Sequence, residues 1–383
     1  MMTVTSKLMA LVTALVTLIS GSSAKDIANE LYSQQAPDTA VSTIEELDPV
    51  KLCSEITIGW NLGNCLDATG GSGLNSETSW GNPKATEELI LAVKKAGFNA
   101  VRIPTTWSNH LTDTTKYTID PQWLDRVQEV VDYAYNNDLY VILNAHHENF
   151  NDPYESTYKK ASKELCAIWK QVAARFKDYD ERLIFEGQNE PRKRGTNVEW
   201  NGGDSEGRSV VNKLNADFVK TVRATGGNNE YRCLMVPTYA ASAGGLDGFV
   251  LPDDKNLIVS IHAYTPYNFA MNYGGGTKRF NAALANSTSE INWLSSTLYE
   301  QFISKGVGVI IGETGATDKD NLEDRLEWAE YFTTQFKQYG IPIFLWDNNG
   351  FGVGDEKYGL IDRTTLQWKY PTYIKTLMKA ANG

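Results

Sequence analysis

Two glutamates close two apolar runs: Glu190 in LIFEGQNEPR (residues 183–192) and Glu313 in VGVIIGETGA (residues 307–316). Each run suits a short buried strand. Pro191 biases the residue before it towards extended backbone and cannot continue a ladder, so Glu190 sits where its strand stops. Gly312 precedes Glu313 in the same way. Two carboxylates at the mouths of two buried strands suit paired acid/base work, or a nucleophile with an acid partner. Asn189 adds a neutral amide that both donates and accepts without competing for protons. Either glutamate alone would serve equally well as a loop cap; the pair with its neighbours points to chemistry.

Composition narrows the partners. The net charge of -11 comes without a concentrated Lys/Arg block, which argues against nucleic acid or an anionic membrane surface and leaves neutral ligands open. Aromatic residues make up 11% of the chain, enough to spare exposed rings for stacking on sugar faces after the core is filled. Residues 1–24 read as a signal peptide: Lys7, an apolar stretch over 8–19, and the small residues Ser22, Ser23 and Ala24. Secretion to the extracellular space follows as an expectation. Residues 25–47 are polar and mixed, as in a flexible leader or pro-segment. Cys53, Cys65, Cys166 and Cys233 lack metal-ligand spacing, and they read either as one or two disulfides or as small buried apolar residues. Asn286-Ser287-Thr288 is an acceptor sequon, meaningful in a glycosylating host.

The two glutamates need a scaffold, and the remaining chain alternates strand-like and helix-like segments. Strands are expected over 56–62, 99–104, 139–144, 183–187, 233–237, 257–262, 307–312 and 342–346. Helices are expected over 86–96, 121–136, 158–176, 208–224, 291–303, 322–339 and 370–381. Apolar strands interleaved with helices imply parallel pairing with both faces covered. A closed (β/α)8 TIM barrel over 48–383 uses all eight strands and leaves no edge. An open doubly wound sheet is the alternative, but no glycine-rich phosphate loop follows the first strand.

In a barrel the active face lies at the C-terminal strand ends. Read there, the polar residues are Asn61, Arg102, His146 beside His147, Asn189, Glu190, His262, Tyr264, Glu313 and Trp346. This set suits cleavage of a glycosidic bond. One glutamate protonates the leaving oxygen while the other attacks or activates water, so the two must hold different proton affinities. Arg102 and Tyr264 can keep a carboxylate ionised, and Trp346 offers a platform for a pyranose ring.

The sequence resembles glycoside hydrolase family 5, the cellulase family of retaining barrel enzymes, from about residue 56 to the C-terminus. The carriers are IFEGQNEPR, IGETGA, SIHAYTPYNF, FNAVRIPTTW, ILNAHHE and FLWDN. ITIGWNLGNCLDA, SETSWGNP and EWNGGD resemble its endoglucanase-rich branch. The resemblance implies Glu190 as acid/base and Glu313 as nucleophile in a double displacement. It implies Asn189 at the sugar 2-hydroxyl, with Asn61, Arg102, His146, His262, Tyr264 and Trp346 lining the cleavage subsite. Thr314 departs from the pattern, because relatives often carry an aromatic residue there. The implied enzyme is a monomeric endo-β-1,4-glucanase acting on β-glucan polysaccharide, without cofactor, metal, nucleic acid or membrane.

Two other classes remain in view. A metal hydrolase would use His146, His147, Glu148 and His262, but adjacent histidines on an extended strand point apart and no HExxH accompanies them. A sugar-binding barrel without activity would be expected to have lost Glu190 or Glu313. Xylan, xyloglucan and mannan remain alternative substrates. Trp60, Trp80, Trp107 and Trp200 are candidate platforms, each equally able to be core.

Overall fold

Alternate residues along the strands separate into two apolar clusters, and that period of two builds the architecture. In a computed structural model, Ile44 and residues 47–383 of the unit Ser42–Gly383 are described. The strands are β1 (Gly59–Leu62), β2 (Ala100–Ile103), β3 (Tyr140–Asn144), β4 (Leu183–Glu186), β5 (Leu234–Pro237), β6 (Leu257–His262), β7 (Gly308–Thr314) and β8 (Ile343–Asp347). All pair in parallel, and β1 pairs with both β2 and β8, so the sheet closes into the expected (β/α)8 barrel. Ala100, Ile142, Ile184, Met235, Ile258, Ile310 and Phe344 form the inner cluster. Their neighbours Val101, Val141, Leu183, Phe185, Val259, Ile311 and Leu345 belong to the larger cluster shared with the helices.

The helices are α1 (Pro49–Glu55), α2 (Glu87–Ala96), α3 (Pro121–Tyr135), α4 (Tyr158–Arg175), α5 (Ser205–Arg223), α6 (Tyr267–Ala270), α7 (Ala285–Gln301), α8 (Leu322–Lys337) and α9 (Pro371–Asn382). Caps set their bounds. Thr86 accepts from the Leu89 N–H at the start of α2, and Gly97 takes φ 111° at its end. Asp204 accepts from the Gly207 N–H at 2.7 Å and starts α5 at Ser205, three residues before the position expected from apolar periodicity.

α1 was not foreseen. Its Leu52 and Cys53, with Ile56 at its cap, join the inner cluster and close the N-terminal end of the barrel. Each such aliphatic burial contributes about 1.5–3 kcal/mol. Gly308 makes room for it, since a Cβ there would lie 2.9 Å from Cys53 Sγ and 3.0 Å from the Pro49 carbonyl. Two short antiparallel hairpins, Leu111–Asp113 with Thr118–Ile119 and Ile361–Asp362 with Gln367–Trp368, also escaped the strand reading.

No disulfide joins the cysteines, and the reading as buried apolar residues holds for three of them, Cys166 being partly exposed. All four are free thiols, with Cys53, Cys65 and Cys233 buried. The expected signal peptide and leader lie outside the described residues apart from Ile44 and Leu47. Ile44 is buried, with its N–H 3.4 Å from Asn228 Oδ1.

Above the apolar floor the inward positions turn polar: Asn61 follows Gly59, Arg102 follows Ala100, Asn144 follows Ile142, Glu186 follows Ile184, and Ser260 and His262 follow Ile258. β7 breaks the alternation. Ile261 faces Ile311 but His262 faces Glu313, and on the other side Ile343 faces Ile311 while Leu345 faces Thr314. Gly312 is therefore an extra residue in a bulge, and it resets the strand so that Glu313 faces inward, with Gly312 leaving its own inward position empty. A Cβ at Gly312 would crowd His262 Nε2 at 3.2 Å, Met235 Cε at 3.3 Å and Ser260 Oγ at 3.3 Å.

Candidate active site

Arg102 organises the centre. From β2 its fully buried guanidinium donates through Nε to Glu186 Oε2 at 2.7 Å, and through Nη1 to Glu313 Oε1 at 2.8 Å and Asn61 Oδ1 at 3.0 Å. Its Nη2 donates to Asn189 Oδ1 at 2.7 Å. All three nitrogens are engaged, so its position is fixed. Burial works against this cation, but Glu186 and Glu313 outweigh it and raise its pKa. Asn61 is anchored in turn by Nδ2 on the Gly312 carbonyl at 2.9 Å. With its carbonyl taken by Arg102, Asn189 keeps its NH2 to donate elsewhere.

Glu190 and Glu313 meet at His262. His262 Nδ1 lies 2.7 Å from Glu190 Oε1 and 3.7 Å from Glu313 Oε2. Each of the three residues offers one atom, and those atoms all lie within 4.8 Å of one another. Tyr264 donates its hydroxyl to Glu313 Oε2 at 3.0 Å. Burial disfavours charge on both carboxyls. At Glu190 the hydrogen bond and charge of His262, helped by Arg192, prevail and hold the carboxyl below its ordinary range. At Glu313 burial prevails over His262 and Arg102, and the carboxyl sits above it. Burial also disfavours the His262 cation, but Glu313 and Glu190 outweigh it and push the ring's pKa up. The low Glu190 and high His262 are two descriptions of one proton held across a 2.7 Å contact.

His146 and His147 stand just past the end of β3. Their rings meet edge to face with centroids 4.5 Å apart, so the pointing apart expected of an extended strand does not hold. The tautomer of His146 is fixed. Asn144 Oδ1 accepts the Thr105 N–H at 3.0 Å, so its Nδ2 must donate to His146 Nδ1, 3.0 Å away, and the ring proton sits on Nε2. Burial keeps His146 neutral, well below the ordinary histidine range, and holds His147 down at about 4. Asp67 approaches both rings closely enough for a shared cation. The proton on His146 Nε2 opposes that use and makes the ring a hydrogen-bond donor instead.

The Trp346 indole lies parallel to His146, with centroids 5.9 Å apart and 8° between planes. Gly63 admits it, because a Cβ there would come within 2.7 Å of the indole. Of the four other candidate platforms, Trp60 and Trp107 are fully buried, and their Nε1 atoms donate to Asp347 Oδ2 and the Asn144 carbonyl. They are core, not platforms. Trp80 is 42% exposed and packs against His147, and Trp200 is 58% exposed. Thr314, the departure from the family pattern, donates to the Ala263 carbonyl at 2.7 Å and so ties β7 to the end of β6.

The sequence-selected residues therefore come together at one end of the barrel. Three neighbours were missed. Glu186 and Ser260 hold the site from below, Ser260 Oγ donating to Glu186 Oε1 at 2.6 Å. A charged residue at an inward register position of an apolar run was the available signal for Glu186. Arg192, two residues past Glu190, gave none beyond its nearness.

A parallel barrel carrying two carboxylates with arginine, histidine and tyrosine partners at the C-terminal ends of its strands defines a glycoside hydrolase. The family model for cellulase, glycosyl hydrolase family 5, matches residues 66–352, and the chain belongs to that family. Endoglucanase B of Neocallimastix patriciarum is 49% identical over 348 residues, covering 88% of this chain and 72% of that protein. The solved structure of a broad-specificity endoglucanase from Ruminococcus champanellensis with bound cellotriose is 47% identical with a TM-score of 0.84, covering 88% of this chain and 100% of that one. A xyloglucan-specific endo-β-1,4-glucanase from a metagenomic library, in complex with cellotriose, is 42% identical with a TM-score of 0.83, covering 86% and 98%.

Proposed function

We propose that this protein is a secreted, retaining endo-β-1,4-glucanase that cleaves internal bonds of cellulose and mixed-linkage β-glucan. The observation that carries the mechanism is the closeness of the two carboxylates, each offering an oxygen within 4.8 Å of the other and of His262. A retaining pair stands about 5–5.5 Å apart, whereas an inverting pair leaves roughly 6.5–9.5 Å for a water molecule. The β-glucan substrate rests on the relatives' activities, and secretion rests on the leader composition.

Glu313 is the nucleophile. Taken singly its carboxyl holds a proton more readily than Glu190 does, but the donors around it decide the pair. Arg102 is a permanent cation on Oε1 and Tyr264 donates to Oε2, so both oxygens are fixed as acceptors. The available proton lies on the other side, between His262 and Glu190. Attack of Glu313 on the anomeric carbon breaks the glycosidic bond while Glu190 gives its proton to the leaving oxygen. Glu190 then takes a proton from water, whose oxygen displaces Glu313 and restores the original anomeric configuration. The His146 Nε2–H and the Asn189 NH2 supply donors for sugar hydroxyls, and Trp346 supplies an apolar face.

The test is reducing-sugar release from carboxymethylcellulose, barley β-glucan, xyloglucan, xylan and glucomannan, with Glu190→Ala and Glu313→Ala beside the wild type. Release from the glucans, lost in both variants, with a β-configured first product by NMR, is the expected result. An α-configured product would replace retention by inversion. Strong preference for xyloglucan would move the substrate to that of the metagenomic relative. N-terminal sequencing of the exported mature protein tests secretion, which predicts a start near residue 25.

A further inference from the structure

Each catalytic carboxylate has its own arginine. Arg102 serves Glu313 from the barrel interior. Arg192 serves Glu190 from the loop outside, and only its neighbours hold it there. Its Nη1 donates to the Glu190 carbonyl at 2.9 Å and lies 3.5 Å from Glu190 Oε2. Its Nε donates to Glu199 Oε1 at 3.1 Å, and Glu199 Oε2 accepts the Gly195 N–H at 2.7 Å. The guanidinium carbon sits 4.2 Å from the centre of the Trp200 ring, which is 58% exposed. One planar cation thus spans from the catalytic carboxyl to an indole on the surface.

We propose that Arg192 is a positioning residue for the reaction: it orients the Glu190 carboxyl and supplies the fixed positive charge beside its outer oxygen, with Glu199 and Trp200 as its mount. The proposal rests on the reading of Glu190 as acid/base. The other groups facing Glu190 are His262 at the end of β6, Glu313 in β7, His147 after β3 and Tyr264 after β6. Burial holds His147 down at about 4, so it is neutral near pH 7, Tyr264 is uncharged, and His262 shares its proton with Glu190 itself. Arg192 is thus the fixed cation that acts on Glu190 directly, as Arg102 does on Glu313. A positive charge lowers the pH at which a carboxylic acid gives up its proton, so Arg192 sets where the acid step fails on the alkaline side. Its mount gives the charge a defined place: a sugar or protein group covering Trp200 removes water from the stack and strengthens the effect.

The test is kcat/KM against pH on soluble β-glucan for Arg192→Met, Arg192→Lys and Trp200→Ala, with Glu190→Ala as reference. Arg192→Met is expected to move the alkaline limb up by about half to one pH unit and to lower kcat. Arg192→Lys should restore the limb while kcat stays low, because lysine supplies charge without the planar fork. Trp200→Ala should move the limb in the same direction by a smaller amount. A fall in kcat with the alkaline limb unmoved in both Arg192→Met and Trp200→Ala overturns the proposal and leaves Arg192 as loop packing. Near-full activity of Glu190→Ala overturns the acid/base assignment instead, so the two failures are distinguishable.

Discussion

Arg102 and Glu186 form an ion pair with 2.7 Å between Nε and Oε2, and neither side chain reaches solvent. A buried pair contributes little net stability when intact, but removing one partner costs about 3–5 kcal/mol because the other charge is stranded. Here Arg102 would keep Glu313 as a carboxylate partner, which lessens that cost, but the fork that holds Glu313, Asn61 and Asn189 would lose the charge anchoring its Nε. Glu186→Gln is expected to lower kcat about ten- to a hundredfold by misplacing that fork. It should also lower the denaturant midpoint. A variant with normal kcat and a lowered midpoint would confine Glu186 to stability.

A second carboxyl pair lies behind the histidine loop. Ser108 Oγ is 2.5 Å from Glu148 Oε2 and 2.9 Å from Glu164 Oε1, and both carboxyls are buried. A hydroxyl carries one proton and cannot donate to both, so one carboxyl must hold a proton of its own. Burial pushes Glu148 up to about 7 against the Ser108 and Trp107 donors. A raised folded-state value means this stability is fully present below the unfolded carboxyl range and is lost as pH rises through about 7. The slope is about 1.4 kcal/mol per pH unit over that window. Glu148→Gln should flatten the decline in melting temperature expected of the wild type between the ordinary carboxyl range and about pH 7. An unchanged profile would show that the proton is not shared there.

Asn144 dictates which nitrogen of His146 carries its proton. Asn144→Asp offers an acceptor where the amide now donates, so the proton should move to Nδ1 and the donor facing the groove should be lost. KM is expected to rise up to about tenfold, the worth of one hydrogen bond, with little change in kcat. Nitrogen-resolved NMR of the ring reads the tautomer directly, and retention of the Nε2–H form would exclude the explanation.

Gly312 leaves space that His262 uses. In Gly312→Ala the added methyl meets His262 Nε2, Met235 Cε and Ser260 Oγ at 3.2–3.3 Å, so the ring must shift by a few tenths of an ångström. Activity is expected to fall more than stability does, since His262 links the two carboxylates. Equal losses in both would point to general overpacking of about 1–3 kcal/mol instead.

The barrel was legible because apolar runs and caps are local. Gly97 and Pro121 mark element ends where they fall, whereas β4 stops at Glu186 and Glu190 stands four residues past it, on the loop that Pro191 continues, not at the strand's last residue as expected. The site residues were legible for a related reason, since strand ends can be found from sequence and the barrel brings strand ends together. What stayed hidden depends on three-dimensional neighbours. Nothing local in residues 49–55 says that they close a barrel whose strands are not yet formed. The bulge at Gly312 is visible only once the flanking strands supply a register, which is why β7 was read as ending before Glu313. Trp60 and Trp107 differ from Trp80 and Trp200 in what covers them, and no spacing rule encodes that.

The helix that seals the lower end of the barrel separates two properties that a protein engineer usually has to trade against each other. Leu52, Cys53, Ile142 and Ile310 pack in the apolar floor, whereas the groups that touch sugar belong to the polar layer above. A library of aliphatic exchanges at those four positions should spread variants widely in heat tolerance while leaving their ranking of polysaccharides unchanged.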